Sequence, residues 1–122
     1  MYRIEYKIDS SITRLYLQGI LEKSEIEQLI KELYINLSGN KILLLTDARN
    51  VNYDFGIKDL HSLEDLTDKY FKSEILVYEA IIIVTPKETA MTTLFNLKER
   101  KNHIVKIFST ESAALSWLLS HK

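Results

Sequence analysis

The stretch Ile104–Lys122, IVKIFSTESAALSWLLSHK, decides how this chain folds. Ile104–Phe108 is a short apolar run with the β-branched content of a buried strand. Ser109 or Thr110 then supplies a helix start, because a hydroxyl there satisfies a backbone N–H that the first turn leaves orphaned. Ala114, Trp117 and Leu118 follow at helical spacing and mark one inward face. A strand running straight into a capped amphipathic helix is the repeating unit of an α/β domain.

The same unit recurs upstream. Ala80–Val84 (AIIIV) reads as a strand covered on both faces. Thr85-Pro86-Lys87-Glu88 joins an N-cap, a first-position proline and a capping-box glutamate. The helix it opens presents Ala90, Met91, Leu94 and Phe95. Lys41–Thr46 (KILLLT) is another nearly continuous apolar run. The polar segment Asp47–Asp54 reads as a loop, and Gly56 opens a helical pattern of Ile57, Leu60, Leu63, Thr67 and Tyr70.

Nearer the N-terminus, Ser24 and Glu27 have capping-box spacing. Ile26, Leu29, Ile30, Leu33 and Leu37 form the buried stripe of a helix ending near Gly39. Tyr2–Ile8 alternates apolar with polar residues, as a half-buried strand does. A break at Asp9-Ser10-Ser11 turns it back into Ile12–Leu17. The expected order is β-β-α-β-α-β-α-β-α: one α/β domain over residues 1–122, with a mostly parallel sheet and an antiparallel N-terminal hairpin.

Composition narrows the functional classes. The chain has 122 residues, 46% hydrophobic and 27% charged, the balance of a globular domain. Its formal net charge of −1 gives no basic footprint for nucleic acid. Cysteine is absent, which excludes disulfides and thiolate chemistry and suits a reducing compartment. No apolar run is long enough for a membrane span. The alternating N-terminus lacks a signal peptide's apolar core, so a cytoplasmic location is expected.

No constellation for catalysis, metal or cofactor binding stands out. His61, His103 and His121 are scattered without metal-ligand spacing, and no nucleophile elbow, P-loop or dinucleotide fingerprint occurs. His61 reads as a half-buried surface residue. Asp47 and Arg49 follow a strand at its carboxyl end, where α/β sheets place ligand crevices; a loop carboxylate capping backbone N–H groups beside a solvated arginine explains them equally simply. Tyr53 and Phe55 are two aromatics in a segment expected to be exposed. They read either as an interface or, for Phe55, as folding back beneath the second helix. Lys98, Arg100, Lys101, His103 and Lys106 form a basic patch that suits a helix C-terminus. Asp59, Glu64, Asp65 and Asp68 form an acidic helix face.

Three segments resemble the STAS-like fold, shared by bacterial anti-sigma-factor antagonists and by domains of anion transporters. Asp47–Leu60 (DARNVNYDFGIKDL) resembles the family's loop opening the second helix, and Ala80–Thr85 resembles its next core strand. Val105–Leu118 (VKIFSTESAALSWL) resembles the F-x-[ST]-x-x-x-A-[LI]-x-W-L ending of a divergent branch that is also similar to CRAL-TRIO lipid-binding domains. The resemblance implies a non-enzymatic regulatory or protein-interaction module with an unidentified protein partner. Its contact surface would be Asp47, Tyr53, Asp54, Phe55 and Gly56, with Asp54 capping the helix. Phe55 stands at the position of the phosphorylatable serine, so the family's phosphorylation switch is not expected. Ser62 and Thr67 do not match that position. The alternative implied is a small carrier of lipophilic molecules, with a cavity between sheet and helices. A homodimer is compatible with either reading, though no residue requires one.

Overall fold

The structure, a computed structural model, describes residues 1–6, 11–96 and 100–122. Strands are β1 (Tyr2–Glu5), β2 (Ile12–Glu22), β3 (Lys41–Asp54), β4 (Leu76–Ile82) and β5 (His103–Phe108). Helices are α1 (Lys23–Asn36), α2 (Leu60–Tyr70), α3 (Pro86–Phe95) and α4 (Glu111–Ser120), with a 3-10 turn at Ile57–Asp59 ahead of α2. The sheet runs β1-β2-β3-β4-β5, with β1 antiparallel to β2 and the other pairs parallel. The expected order and sheet type are therefore present. The expected extension of the first strand to Ile8 and the break at Asp9-Ser10 lie outside the described residues.

This topology dictates where the helices go. Successive parallel strands are added in one direction, so right-handed crossovers put α1, α2 and α3 on the same face. The larger core lies there, built around Leu15, Leu21, Leu33, Leu44, Leu63 and Val77. Helix α4, after the last described strand, folds back over the opposite face onto Ile12, Leu43, Leu45, Ala80 and Ile82. Ala114 and Leu118 are fully buried in that second core. Trp117 is half-buried, with its ring 6.0 Å from Tyr78 and 5.7 Å from Phe108. Thr110 caps α4 as expected, its hydroxyl accepting from the Ala113 N–H at 3.3 Å.

Four expectations need correction. The segment Asp47–Asp54 is not a loop: β3 continues to Asp54, pairing Asn50–Asp54 with Gln18–Glu22 of a β2 longer than expected. Val51 and Tyr53 point into the core while Asn50, Asn52 and Asp54 face out, because α4 leaves that part of the second face uncovered. Helix α1 starts two residues early, with Glu22 as N-cap in place of the Ser24 box; the Glu22 N–H donates to Glu25 Oε1 at 3.4 Å. In α3 the buried residues are Glu88, Met91 and Thr92, while Ala90 and Leu94 are exposed. Thr85 caps α3 by position, but its hydroxyl donates to Glu88 Oε1 at 2.6 Å instead of receiving a backbone N–H.

Candidate functional site

The residues expected to make one contact surface are spread over the fold. Asp47 sits within β3, seven residues or roughly 23 Å of strand from Asp54. Its carboxylate is engaged by Arg49, accepting from Nε at 3.0 Å and from Nη2 at 2.7 Å. Those hydrogen bonds hold the Asp47 carboxyl below the usual carboxylate range. Tyr53 is buried at 9% exposure, its hydroxyl 3.5 Å from Thr92 Oγ1 and its ring 5.3 Å from Phe55. Phe55 is half-buried and packs on the core. Asp54 caps nothing in α2. The turn is closed by Asp59, which accepts from the Gly56 N–H at 3.0 Å and ends at the helix N-cap. Only Asp54 and Gly56 of the five remain exposed.

What those aromatics line instead is a cavity. Between the sheet and α1–α3 lies a space of about 120 Å³, walled by side chains such as Leu17, Leu29, Leu63, Ile81 and Met91. Tyr34, Tyr53, Phe55 and Phe95 add aromatic surface to the wall. Ile26, Phe55, Phe95 and Asn96 are half-buried, so the cavity meets the surface between α1, the turn before α2 and α3.

One end of the cavity is polar. Glu79 of β4, His103 at the start of β5 and Thr46 of β3 all line it. Thr46 donates to Glu79 Oε2 at 2.8 Å, and His103 Nε2 lies 2.8 Å from Glu79 Oε1. The side chains of His103 and Glu79 are only 4% and 11% exposed, so this is an interior pair. The imidazole stacks on Phe71 at 5.0 Å. His103 thus leaves the expected basic patch. Arg100 leaves it too, its guanidinium half-hidden on Asp68 at 2.8 Å. Lys101 and Lys106 remain exposed, and Lys98 lies outside the described residues. His61 is fully at the surface, 3.5 Å from Asp65. Glu79 is the residue that sequence reasoning missed. Its signal was a lone charge inside the apolar run LVYEAIIIV, passed over because the strand was expected to begin one residue later.

Burial also sets the alkaline limit of the fold. Desolvation pushes the Tyr34 phenol well above its ordinary value, with Glu79 adding to it, and raises that of Tyr53. Tyr2 is pushed up to about 12 by desolvation and by donating to Glu32 at 2.6 Å. A raised folded value means the neutral phenol is favoured on folding. That contribution is complete below pH 10, the unfolded value, and is lost as pH rises toward 12 and beyond. Phenolate absorbance is expected to rise in two stages, with Tyr34 and Tyr53 in the later one, together with unfolding. A single transition for all seven tyrosines near their ordinary value would contradict this.

Comparison with solved structures places the architecture. Over 97% of its length the chain is similar to an uncharacterised protein of the DUF3478 family from Shewanella loihica PV-4, described as having a SpoIIAA-like fold; identity is 22%, 92% of that chain is covered and the TM-score is 0.59.

The fold is SpoIIAA-like.

The chain is also similar, at 11% identity and a TM-score of 0.49, to the Bacillus cell fate determinant SpoIIAA in its phosphorylated form, over 97% of this chain and 99% of that one. No protein-family model and no curated protein matches the sequence. Among the described residues of this SpoIIAA-like domain, no helix is long and apolar enough to cross a membrane.

Proposed function

We propose that this SpoIIAA-like domain is a non-enzymatic regulatory module whose input is a small, mostly apolar molecule held in the cavity between the sheet and α1–α3. The cavity carries this reading. Leaving about 120 Å³ unfilled in a core sacrifices roughly 3 kcal/mol at the cost per volume measured for engineered voids. A larger side chain at Thr67 or Met91 would recover part of that. The space is too small for a long-chain lipid and is on the scale of one six-membered ring. The reading is therefore the lipophilic-ligand alternative, restricted to compact molecules.

Native mass spectrometry of protein purified from its own cells tests it. A bound species lost on denaturation is expected. Met91→Phe, which puts a ring into the cavity, should retain the fold and abolish that species. Protein that carries nothing, and whose melting temperature is unmoved by millimolar toluene, would exclude the reading.

A second reading, contact with a protein partner, is favoured by the turn after β3. Ile57 is 66% exposed there, between exposed Gly56 and Lys58 and close to Asp54. Phe55 lines the cavity on one side of the same turn, so occupancy of the cavity and the shape of the turn are mechanically adjacent. With phenylalanine at the position of a phosphoacceptor serine, the contact would be constitutive. Ile57→Asp should leave the melting temperature within about 2 °C of wild type, as exposed substitutions usually do. It should weaken any partner complex at least tenfold. Unchanged affinity in a pull-down titration would remove this turn from the interface.

A further inference from the structure

Resting on the reading of the cavity as a ligand site, we infer that its ligand is a small organic cation, a compact alkyl- or arylammonium. The cavity lining is mostly apolar, with Thr67, Thr92 and Asn96 besides the Thr46–Glu79–His103 cluster, and it carries one formal charge. That charge is the Glu79 carboxylate, because the lining residues include no lysine or arginine among those described. Arg100 does not line it; its Nε holds Asp68 at 2.8 Å, and its Nη2 is buried without a hydrogen-bond partner among the described residues.

His103 does not cancel the charge. Its Nε2 faces Glu79 Oε1 at 2.8 Å, whereas Nδ1 is buried with no hydrogen-bond partner among the described residues. A doubly protonated ring would bury an N–H with no acceptor, at the full desolvation cost of that group. The neutral ring, with its proton on Nε2, donates to Glu79 and leaves only a bare lone pair.

Glu79 also has acceptor capacity to spare. A carboxylate offers about four lone-pair positions, and Thr46 and His103 use one on each oxygen. An ammonium brings N–H donors to the remaining two. Tyr34, Tyr53, Phe55 and Phe95 are in the lining, and an aromatic ring attracts a cation most strongly where water is excluded. An anionic ligand would meet a like charge in a low-dielectric site, and a neutral O–H donor would keep a hydrogen bond to Glu79 but forgo the attraction between charges.

The isosteric probes n-butylamine, n-butanol and butyrate separate these cases when titrated into the full chain. The readout is the NMR shift of the Leu63, Ile81 and Met91 methyl groups. Butylammonium is expected to bind at least tenfold more tightly than butanol, and butyrate not to bind. Glu79→Gln should weaken the ammonium at least tenfold, toward the affinity of the alcohol, and change the alcohol much less; should that variant fail to fold, the wild-type ranking decides alone. Butanol or butyrate binding as well as butylamine would overturn the cation assignment and leave the cavity reading standing. If no probe moves the lining methyls, both the assignment and the cavity reading fall.

Discussion

Leu118→Ala is expected to destabilise the domain by about 3–5 kcal/mol, the upper range for leucine truncations in a core. The residue is fully buried, and α4 alone covers its face of the sheet. On the other face, three helices share the core, so a void there can be partly closed by neighbours. Under α4 the partners are strand residues such as Leu45 and Ile82, held by the ladder, so relaxation is limited. Trp117→Ala should cost less, about 2–3 kcal/mol, because the indole is only half-buried against Tyr78 and Phe108. The first change corresponds to a drop in melting temperature of roughly 10–20 °C for a chain of this size. Thermal unfolding followed by far-UV circular dichroism reads both. If either variant melted within a few degrees of wild type, the docking of α4 described above would be wrong.

The architecture was legible because its signals are redundant. Continuous apolar runs at Lys41–Thr46 and Ala80–Val84, each followed by a helical stripe, admit few arrangements other than a parallel sheet with crossovers. The second half of β3 was not legible. Val51 and Tyr53 do alternate with polar neighbours, but Asp47, Arg49, Asn50, Asn52 and Asp54 make the segment read as loop. The polar residues are tolerated because the fold leaves one side of that strand open, and no local pattern announces which part of a sheet a terminal helix will fail to cover. The consequence for the site was direct. A loop would have exposed Tyr53 and Phe55, whereas a strand turns Tyr53 into the core and leaves Phe55 at the cavity wall. The cavity itself has no sequence signature, since it is a property of how four elements fail to meet. Its polar end was half-visible. A glutamate in an apolar strand needs an interior partner, but nothing in spacing ties Glu79 to His103 across twenty-four residues.

That pair supports the second large effect. His103→Leu is expected to cost about 3–5 kcal/mol, because removing one partner leaves a buried carboxylate with a single donor, Thr46. Burial of the new leucine does not compensate, since desolvating an unpaired ion outweighs the gain from one apolar side chain. The double replacement Glu79→Leu with His103→Leu should lose less than His103→Leu alone, because the orphaned charge disappears with its partner. In the double variant only the Thr46 hydroxyl is left to be satisfied, a cost nearer 1–3 kcal/mol. A double-mutant cycle in urea should therefore give a coupling of about 2–3 kcal/mol, at the top of the range for contacting residues. Glu79→Gln keeps an acceptor for one of the two donors and turns its N–H2 to the other side, where the Thr46 hydroxyl can rotate to accept, so it should be the mildest of the set. Strict additivity of the two leucine changes would mean that the imidazole and the carboxylate do not share a hydrogen bond, and the polar end of the cavity would have to be redrawn.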